Sequence, residues 1–285
     1  MLRRIKRTMQ IGQLIAGVAG LTFGLLVDLL SGWLQSSQGS QLVPVVIAVF
    51  VVALLISIWL WWTKPERIGL AVEHVRTLRN DREKKQNAKQ GLVAFVSLYN
   101  PSGDSKAQEL SIPERQELAQ VGQYARLDLL NSNLAPLIDA VVTHASRLEH
   151  CWLIGTTSST SDKAGSFVYI PAIVQYLKQE CGVNCEFHYE GYSIPVDDDV
   201  SVFERTLELV GQVFEEAGTD KKIAGANMVA DFTGGFRSMP LGMILACLDK
   251  DRDIQMIGTH YDEYGKWTNN RFPIIFGFEP VFRPK

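Results

Sequence analysis

Charged side chains are almost absent from residues 10 to 63 of this 285-residue sequence. Asp28 is the only formally charged residue in that run, whereas a chain-wide charged fraction of 21% predicts about eleven. This scarcity excludes a wholly soluble chain and a disordered one. Basic residues are not in excess either, since residues 64–285 contain 24 basic and 30 acidic side chains. A generic nucleic-acid binder is therefore excluded, because phosphate-tracking proteins carry basic surfaces.

The uncharged region contains two long apolar stretches, at 11–34 and 42–62. At about 1.5 Å rise per residue, each is long enough to cross a hydrocarbon core of roughly 30 Å. The connection QSSQGSQ at 35–41 is short and carries no charge. We therefore predict a two-helix transmembrane hairpin in residues 1–63.

Basic residues flank both predicted spans on their outer ends. They are Arg3, Arg4, Lys6 and Arg7 before the first span, and Lys64, Arg67, Arg76, Arg79, Arg82, Lys84, Lys85 and Lys89 after the second. The positive-inside rule places both ends in the cytoplasm, which predicts a multi-pass protein of the inner (cytoplasmic) membrane. A cleaved signal peptide is the alternative for the first span, but the second would still leave the large C-terminal part on the cytoplasmic side. The four cysteines are expected to be reduced thiols there.

Small residues recur every four positions along the first span. The stripe includes Gly20, Gly24 and Asp28, a spacing that lets helix backbones approach closely. Asp28 should face protein or water, because an acid at mid-bilayer costs about 2.5 to 3.5 kcal/mol on insertion scales. Two placements remain open for it, at the outer headgroups or lining an oligomeric pore.

Residues 64–89 are rich in charge and are predicted to form a linker helix, followed by a cytoplasmic domain at 90–285. Short β-type runs then alternate with amphipathic stretches, which is typical of an α/β fold: a Rossmann-like, mostly parallel sheet with helices on both faces. Predicted strands are 93–99, 151–155, 185–189, 228–232, 254–258 and a further candidate at 273–278. Predicted helices are 112–120, 127–147, 167–179, 200–217 and 240–249.

Polar and glycine residues follow three of the predicted strands. They are Asn100 after the first, Gly155, Thr156, Thr157 and Ser158 at the end of the second, and Thr233, Gly234, Gly235, Arg237 and Ser238 after the fourth. Ligands bind at the carboxyl ends of strands in such folds. The Gly-Gly pair lets backbone amides approach a ligand, and Arg237 adds a donor fork suited to phosphate. Each group also has a structural interpretation, as a tight turn or a helix cap.

DFTGGFRSM at 231–239 resembles the hallmark of CARF domains, the CRISPR-associated Rossmann folds, whose usual form is D-hydrophobe-T-G-G-T-K-x-M. Phe236 stands in place of the usual small polar residue and Arg237 in place of the usual Lys. LIGTTSS at 153–159 resembles the family's other ligand-binding loop, although counting strands assigns that role to NPSG at 100–103, and both assignments remain open. The resemblance covers roughly residues 90 to 260, and the two spans are similar to those of membrane-anchored members of the family.

The resemblance implies a homodimer that binds cyclic oligoadenylate, most often cyclic tetra-adenylate made by type III CRISPR complexes, across the dimer axis. The expected protein is a membrane effector of antiviral defence that alters membrane permeability or potential, as a homodimer or higher homo-oligomer. We expect no catalytic residue, metal, cofactor or long nucleic acid. Two alternatives remain: a membrane-tethered ring nuclease that cleaves the same ligand, and a structural membrane anchor for a partner protein.

Three other groups of residues favour structural roles. Asp197, Asp198 and Asp199 precede a predicted helix, where acids favour the helix dipole, so we expect capping. Cys181, Cys185 and His188 lack a fourth metal ligand and are expected to be ordinary parts of a helix end and a strand. His144 and His150 lie near a helix end and are predicted to be on the surface.

Overall fold

A computed structural model describes residues 67–158, 165–248, 252–265 and 267–283. The strands in these residues are β1 (Arg67–Thr77), β2 (Gly91–Phe95), β3 (His150–Ser158), β4 (Glu186–His188), β5 (Ser193–Val196), β6 (Met228–Asp231), β7 (Asp253–Tyr261) and β8 (Trp267–Arg283). The α-helices are α1 (Asp81–Gln86), α2 (Ile112–Gln120), α3 (Ala135–His144), α4 (Ile170–Gln179), α5 (Asp199–Thr219) and α6 (Met239–Cys247).

The strands form a mixed, mostly parallel sheet in the order β1-β8-β7-β6-β2-β3-β4. β2, β3, β4, β6 and β7 run parallel, and β8 returns antiparallel to β7. β5 lies off this path and pairs with the carboxyl half of β3. From β2 the chain builds outward through β3 to β4, and then crosses back to place β6 on the other side of β2. The strand order therefore reverses between β2 and β6.

Helices cover both faces of the sheet because its central strands are apolar on both sides. Leu92, Ala94 and Leu153 point into a core that also contains buried residues of α3 and α4. Val93 and Trp152 point to the opposite core, which contains buried residues of α5 and α6. This is the α/β arrangement predicted from the sequence, with β2 buried throughout its length.

Three predicted helices are present, with ends within two residues of the predicted ones. The helix predicted at 112–120 is α2, where Ser111 and Glu114 form a capping box and Pro113 occupies the first turn. The helices predicted at 200–217 and 240–249 correspond to α5 and α6. The single helix predicted at 127–147 is instead a 3₁₀ turn at Leu129–Asn131 followed by the shorter α3.

The linker helix predicted at 64–89 is wrong. Arg67–Thr77 is instead strand β1, which pairs with β8 at the edge of the sheet, and among the described residues of this segment only α1 is helical. α1 begins after Asn80, whose side chain accepts the Glu83 N–H in a second capping box. This segment is therefore part of the folded sheet and not a free helical connector.

The membrane prediction concerns another part of the chain. Within the described ranges no helix has the length and apolar character needed to cross a bilayer. The two predicted spans, with Gly20, Gly24 and Asp28, lie outside those ranges.

Candidate functional site at the carboxyl edge of the sheet

The 231–239 motif connects the end of β6 to the start of α6. Asp231 is the last residue of β6, and Met239 is the first of α6. Because β2 and β6 are parallel neighbours at the reversal of strand order, the turn lies beside the carboxyl end of β2. This is where open α/β sheets usually bind ligands.

The two glycines of the turn are required by its close approach to β2. The Gly235 N–H donates to Ser97 Oγ at 3.1 Å. A Cβ on Gly234 would lie 2.7 Å from the Phe95 carbonyl oxygen, and Gly235 has a φ of +94°. An L side chain rarely adopts that φ, so both positions favour glycine for steric reasons. The structural interpretation of the Gly-Gly pair as a tight turn is therefore correct, and it leaves the turn fixed against β2.

Hydrogen bonds of Asp231 and Thr233 fix the beginning of the turn. The Thr233 N–H donates to Asp231 Oδ1 at 3.0 Å, and Thr233 Oγ1 accepts the Ile257 N–H at 2.8 Å. Thr233 thus joins the turn to β7 with the hydroxyl that the sequence suggested for a ligand. Asp231 is buried, and burial raises its pKa to about 6 although hydrogen bonds from Gln255 and Thr233 lower it.

A buried polar chain continues from Asp231 to α3. Gln255 Nε2 donates to Asp231 Oδ2 at 3.1 Å, and Gln255 Oε1 lies 2.8 Å from His144 Nε2. His144 Nδ1 accepts the backbone N–H of Lys89 at 3.2 Å. A backbone amide only donates, so the neutral imidazole carries its proton on Nε2 and donates it to Gln255.

His144 is therefore not on the surface, and that prediction was wrong. It is fully buried, and burial lowers its pKa to about 4, so it is neutral near pH 7. No local pattern indicates this burial, because β7 and the segment before β2 meet α3 only in the fold.

Arg237 projects from the tip of the turn and pairs with Asp199. Its Nε donates to Asp199 Oδ1 at 3.1 Å, and a second guanidinium nitrogen contacts the other oxygen. This bidentate pair is open to solvent, with 78% of the Arg237 side chain exposed. The contact lowers the pKa of Asp199, with a smaller contribution from Ser238, and raises that of Arg237.

Asp199 is the first residue of α5, and of the two aspartates before it Asp198 has the predicted capping role. Asp198 is the N-cap and accepts the backbone N–H groups of Val200 and Ser201. Asp197 forms an exposed ion pair with Arg205 at 2.7 Å. The start of α5, with the carboxylates of Asp197, Asp198 and Asp199, therefore lies beside the Arg237 guanidinium.

The Ser/Thr run at 156–158 belongs to β3 and not to a loop after it. β3 extends to Ser158 because Gly155–Ser158 pairs with β5. Thr156 is buried and exchanges hydrogen bonds with Ser166, whose hydroxyl accepts the Thr156 N–H at 2.8 Å. Gly155 permits close packing, since a Cβ there would lie 2.7 Å from Phe167 Cα. Thr157 and Ser158 are half-buried at the end of this pair.

Asn100 contacts Asn133, which lines a cleft. Its backbone N–H donates to Asn133 Oδ1 at 2.8 Å, which joins the loop after β2 to the segment before α3. The cleft has a volume of about 720 Å³ and lies between the loop after β2, the segment leading into α3, and strands β7 and β8. Its lining residues are Ser102, Gly103, Asp104, Leu130, Asn131, Ser132, Asn133, Pro136, Ile257, Gly258, Thr259, Tyr261, Thr268 and Arg271. The segment after β2 contacts the Gly-Gly turn through Ser97, which precedes the NPSG loop considered from the sequence.

His188 has different neighbours from those considered in the sequence. It lies with His150 and Glu186, where three donor atoms come together at the amino edge of the sheet. His150 is partly buried at the start of β3, with 16% of its side chain exposed, so its predicted surface placement was only partly correct. Cys181 and Cys185 are free thiols that pack at the margin of the core containing α4.

A scan of the sequence against protein-family models found no match, and a search among curated proteins also found none.

Proposed function

We propose that this protein is a membrane effector of type III CRISPR antiviral defence that senses cyclic oligoadenylate through a dimeric, CARF-like domain. The expected ligand is cyclic tetra-adenylate, and the expected output is a change in membrane permeability or potential. One observation carries the proposal: the DFTGG turn lies beside the reversal of strand order, held against β2 by the Gly235 to Ser97 hydrogen bond.

The strand order supports a Rossmann-like interpretation of the domain. Numbered among themselves, β2, β3, β4, β6 and β7 lie in the order 3-2-1-4-5, and β8 adds an antiparallel sixth strand. That order matches the doubly wound fold, whose ligands bind across the crevice between its first and fourth strands. Here that crevice lies between β2 and β6.

The Arg237 to Asp199 pair supports an anionic ligand. Asp199 presents two carboxylate oxygens to the planar guanidinium, the same geometry in which arginine binds phosphate. Because the pair is exposed, its net contribution to stability is small, and a phosphate can displace Asp199 at little cost. On this proposal Asp199 occupies the phosphate position until ligand arrives.

Exposed apolar side chains near the same edge support association with a second copy. Phe236 is 37% exposed at the tip of the turn, and Leu98, Val200 and Leu241 are more exposed still. They follow β2, begin α5 and begin α6, respectively, elements that meet at the carboxyl edge. On this proposal these side chains form the contact between the two copies. Within a dimer, Phe236 would also offer an aromatic face on which an adenine base can stack.

The proposal couples this edge to the membrane through the start of the chain. Only residues 63–66 separate the second predicted span from β1 in sequence. A change in how two sheets associate would therefore be transmitted over a short connection. The predicted packing stripe with Gly20, Gly24 and Asp28 would respond by repacking or opening, provided that the ligand binds the two states with different affinity.

The direct test is a titration of the purified full-length protein with rings of three to six adenylates. Arg237→Ala should weaken binding by about tenfold or more, because a charge-assisted hydrogen bond is lost. Asp199→Asn should strengthen binding by about two- to fivefold, because it frees Arg237 and removes a repulsive charge. Arg205→Ala is the matched control: it removes an arginine from a similar exposed ion pair and should leave the affinity unchanged.

The same experiment separates the alternatives. Saturable binding with intact ligand supports the sensor, linear products support a ring nuclease, and no binding supports a structural anchor. Identical isotherms for wild type and Arg237→Ala would remove the turn from the ligand site. In vesicles, ligand-dependent ion flux that is unchanged in Asp28→Asn would exclude a pore role for Asp28 without affecting the sensor assignment.

A further inference from the structure

A cluster of two histidines and one glutamate lies at the opposite, amino edge of the sheet. β3 and β4 are parallel, and their register places His150 opposite Glu186 and Trp152 opposite His188. Cross-strand partners share a face, and so do residues two apart on one strand. The pairing therefore directs the side chains of His150, Glu186 and His188 to the same side of the sheet.

The donor atoms of this cluster are spaced as ligands of one small ion. His150 Nδ1 lies 3.0 Å from His188 Nε2 and 3.2 Å from Glu186 Oε2, and His188 Nε2 lies 3.9 Å from the same oxygen. Atoms bound to one zinc ion at about 2.0–2.2 Å with tetrahedral angles lie about 3.3–3.6 Å apart. Shifts of a few tenths of an ångström bring all three separations into that range.

The surroundings hold the two imidazoles in place and leave the carboxylate adjustable. His188 stacks on Trp152 with ring centroids 4.8 Å apart, and on His150 at 5.3 Å. Both histidines are mostly buried, whereas 57% of the Glu186 side chain is exposed. Lys221 Nζ lies 3.4 Å from each Glu186 oxygen, so it restrains the carboxylate but also contributes an opposing positive charge.

We propose that His150, His188 and Glu186 bind one divalent transition-metal ion of the zinc class, with solvent in the fourth position. Two imidazoles and one carboxylate are a ligand set that such ions favour, and the exposed side of Glu186 gives the ion and a water molecule access. Glu186 and His188 belong to the three-residue edge strand β4 and His150 to β3, so the ion fastens that strand to the sheet. The site is independent of the anion-binding turn, which lies at the other edge.

The test uses the full-length chain, stripped of metal with a chelator and titrated with Zn²⁺ against a chromophoric competitor. We expect one ion per chain and a rise in the unfolding temperature when Zn²⁺ is added. His150→Gln and His188→Gln should each lower the affinity by about 100-fold or more, since even an outer-shell change costs 10–100-fold. His260→Gln is the matched control, because His260 in β7 packs against Phe272 in β8, away from this cluster, and its loss should leave the affinity unchanged.

Two further measurements keep the proposal testable if a histidine variant fails to fold. Glu186→Gln changes an exposed side chain and should weaken Zn²⁺ binding by at least about tenfold while the fold is retained. Co²⁺ should give visible d–d absorption without a thiolate charge-transfer band, which separates this site from the free cysteines. Absence of saturable binding, unchanged affinity in Glu186→Gln or a thiolate band would each overturn the assignment.

Discussion

The buried polar chain beneath the turn has a fixed hydrogen-bond direction that can be tested by a double-mutant cycle. The Lys89 backbone N–H donates to His144, His144 to Gln255, and Gln255 to Asp231. Because the first donor is a backbone amide, reversing any later link leaves two donors or two acceptors facing each other. Gln255 accepts at one end and donates at the other, so it sets the direction for both neighbours.

Each single substitution has a different expected cost. Gln255→Glu places a second carboxylate about 3 Å from that of Asp231, and an uncompensated buried charge costs about 3–5 kcal/mol. Asp231→Asn removes a charge whose pKa is raised from 3.8 to about 6, which is worth on the order of 3 kcal/mol near pH 7. The new amide NH₂ group also faces the N–H donor of either Gln255 or Thr233, and this unpaired contact destabilises the fold by about 1–3 kcal/mol. The two terms nearly cancel, so we expect a net change below about 2 kcal/mol.

The double variant Asp231→Asn/Gln255→Glu restores every donor–acceptor pair with one buried charge. We expect its unfolding free energy to lie within about 2 kcal/mol of wild type, with a favourable coupling of at least about 2 kcal/mol. Urea unfolding at pH 7, monitored by circular dichroism, gives the unfolding free energies of wild type, the two single variants and the double variant. Additive effects would refute the reasoning. So would a gain of the full 3 kcal/mol in Asp231→Asn alone, because charge burial would then be the only effect present.

Two further predictions concern the pH dependence of this chain and the backbone of the turn. The pKa of Asp231 is raised to about 6, so the folded state gains stability from this group as the pH falls from about 6 to 4. The pKa of His144 is lowered to about 4, so the folded state loses stability through this group as the pH falls from about 6.5 to 4. These two effects offset each other in wild type. Between pH 7 and 4, the unfolding free energy of Asp231→Asn, measured with urea, should therefore fall by about 3 kcal/mol more than that of wild type. Parallel pH profiles for the two proteins would contradict this. Gly235→Ala should cost about 2–3 kcal/mol, because its φ is +94° and the added Cβ would lie 3.1 Å from Phe95 Cβ. Gly182→Ala, at φ +64° with open space around it, is the control and should cost only about 1 kcal/mol in the same assay; equal losses would exclude the contact with Phe95.

Much of the domain could be predicted from local patterns. The apolar runs that became β2, β3, β6 and β7 are bounded by turn residues, and a parallel sheet buries such runs on both faces. The Gly-Gly turn was also predictable, because glycine pairs at the end of an apolar strand indicate close backbone approach. These signals depend only on neighbouring residues.

The errors arose where distant parts of the chain decide the local structure. β1 (RIGLAVEHVRT) has no strict alternation of polar and apolar residues, so its sequence also suits a helix, and pairing with β8 selects the strand. β5 contains Pro195, which disfavours a strand until β3 provides an edge for it to pair with. The Arg237 to Asp199 pair joins residues 38 positions apart, so no local motif indicates it.

The turn combines a fixed backbone with exposed side chains, and this division limits how a ligand acts on it. Asp231 and Ser97 accept backbone N–H groups of the turn, and Ile257 donates to the Thr233 hydroxyl. Phe236 and Arg237 remain open to solvent. A ligand therefore need not order the turn, which lowers the entropic cost of binding. The same rigidity prevents the turn from absorbing a ligand-driven change, so on the proposed function that change must occur between copies of the domain, as a rigid-body rearrangement of two sheets.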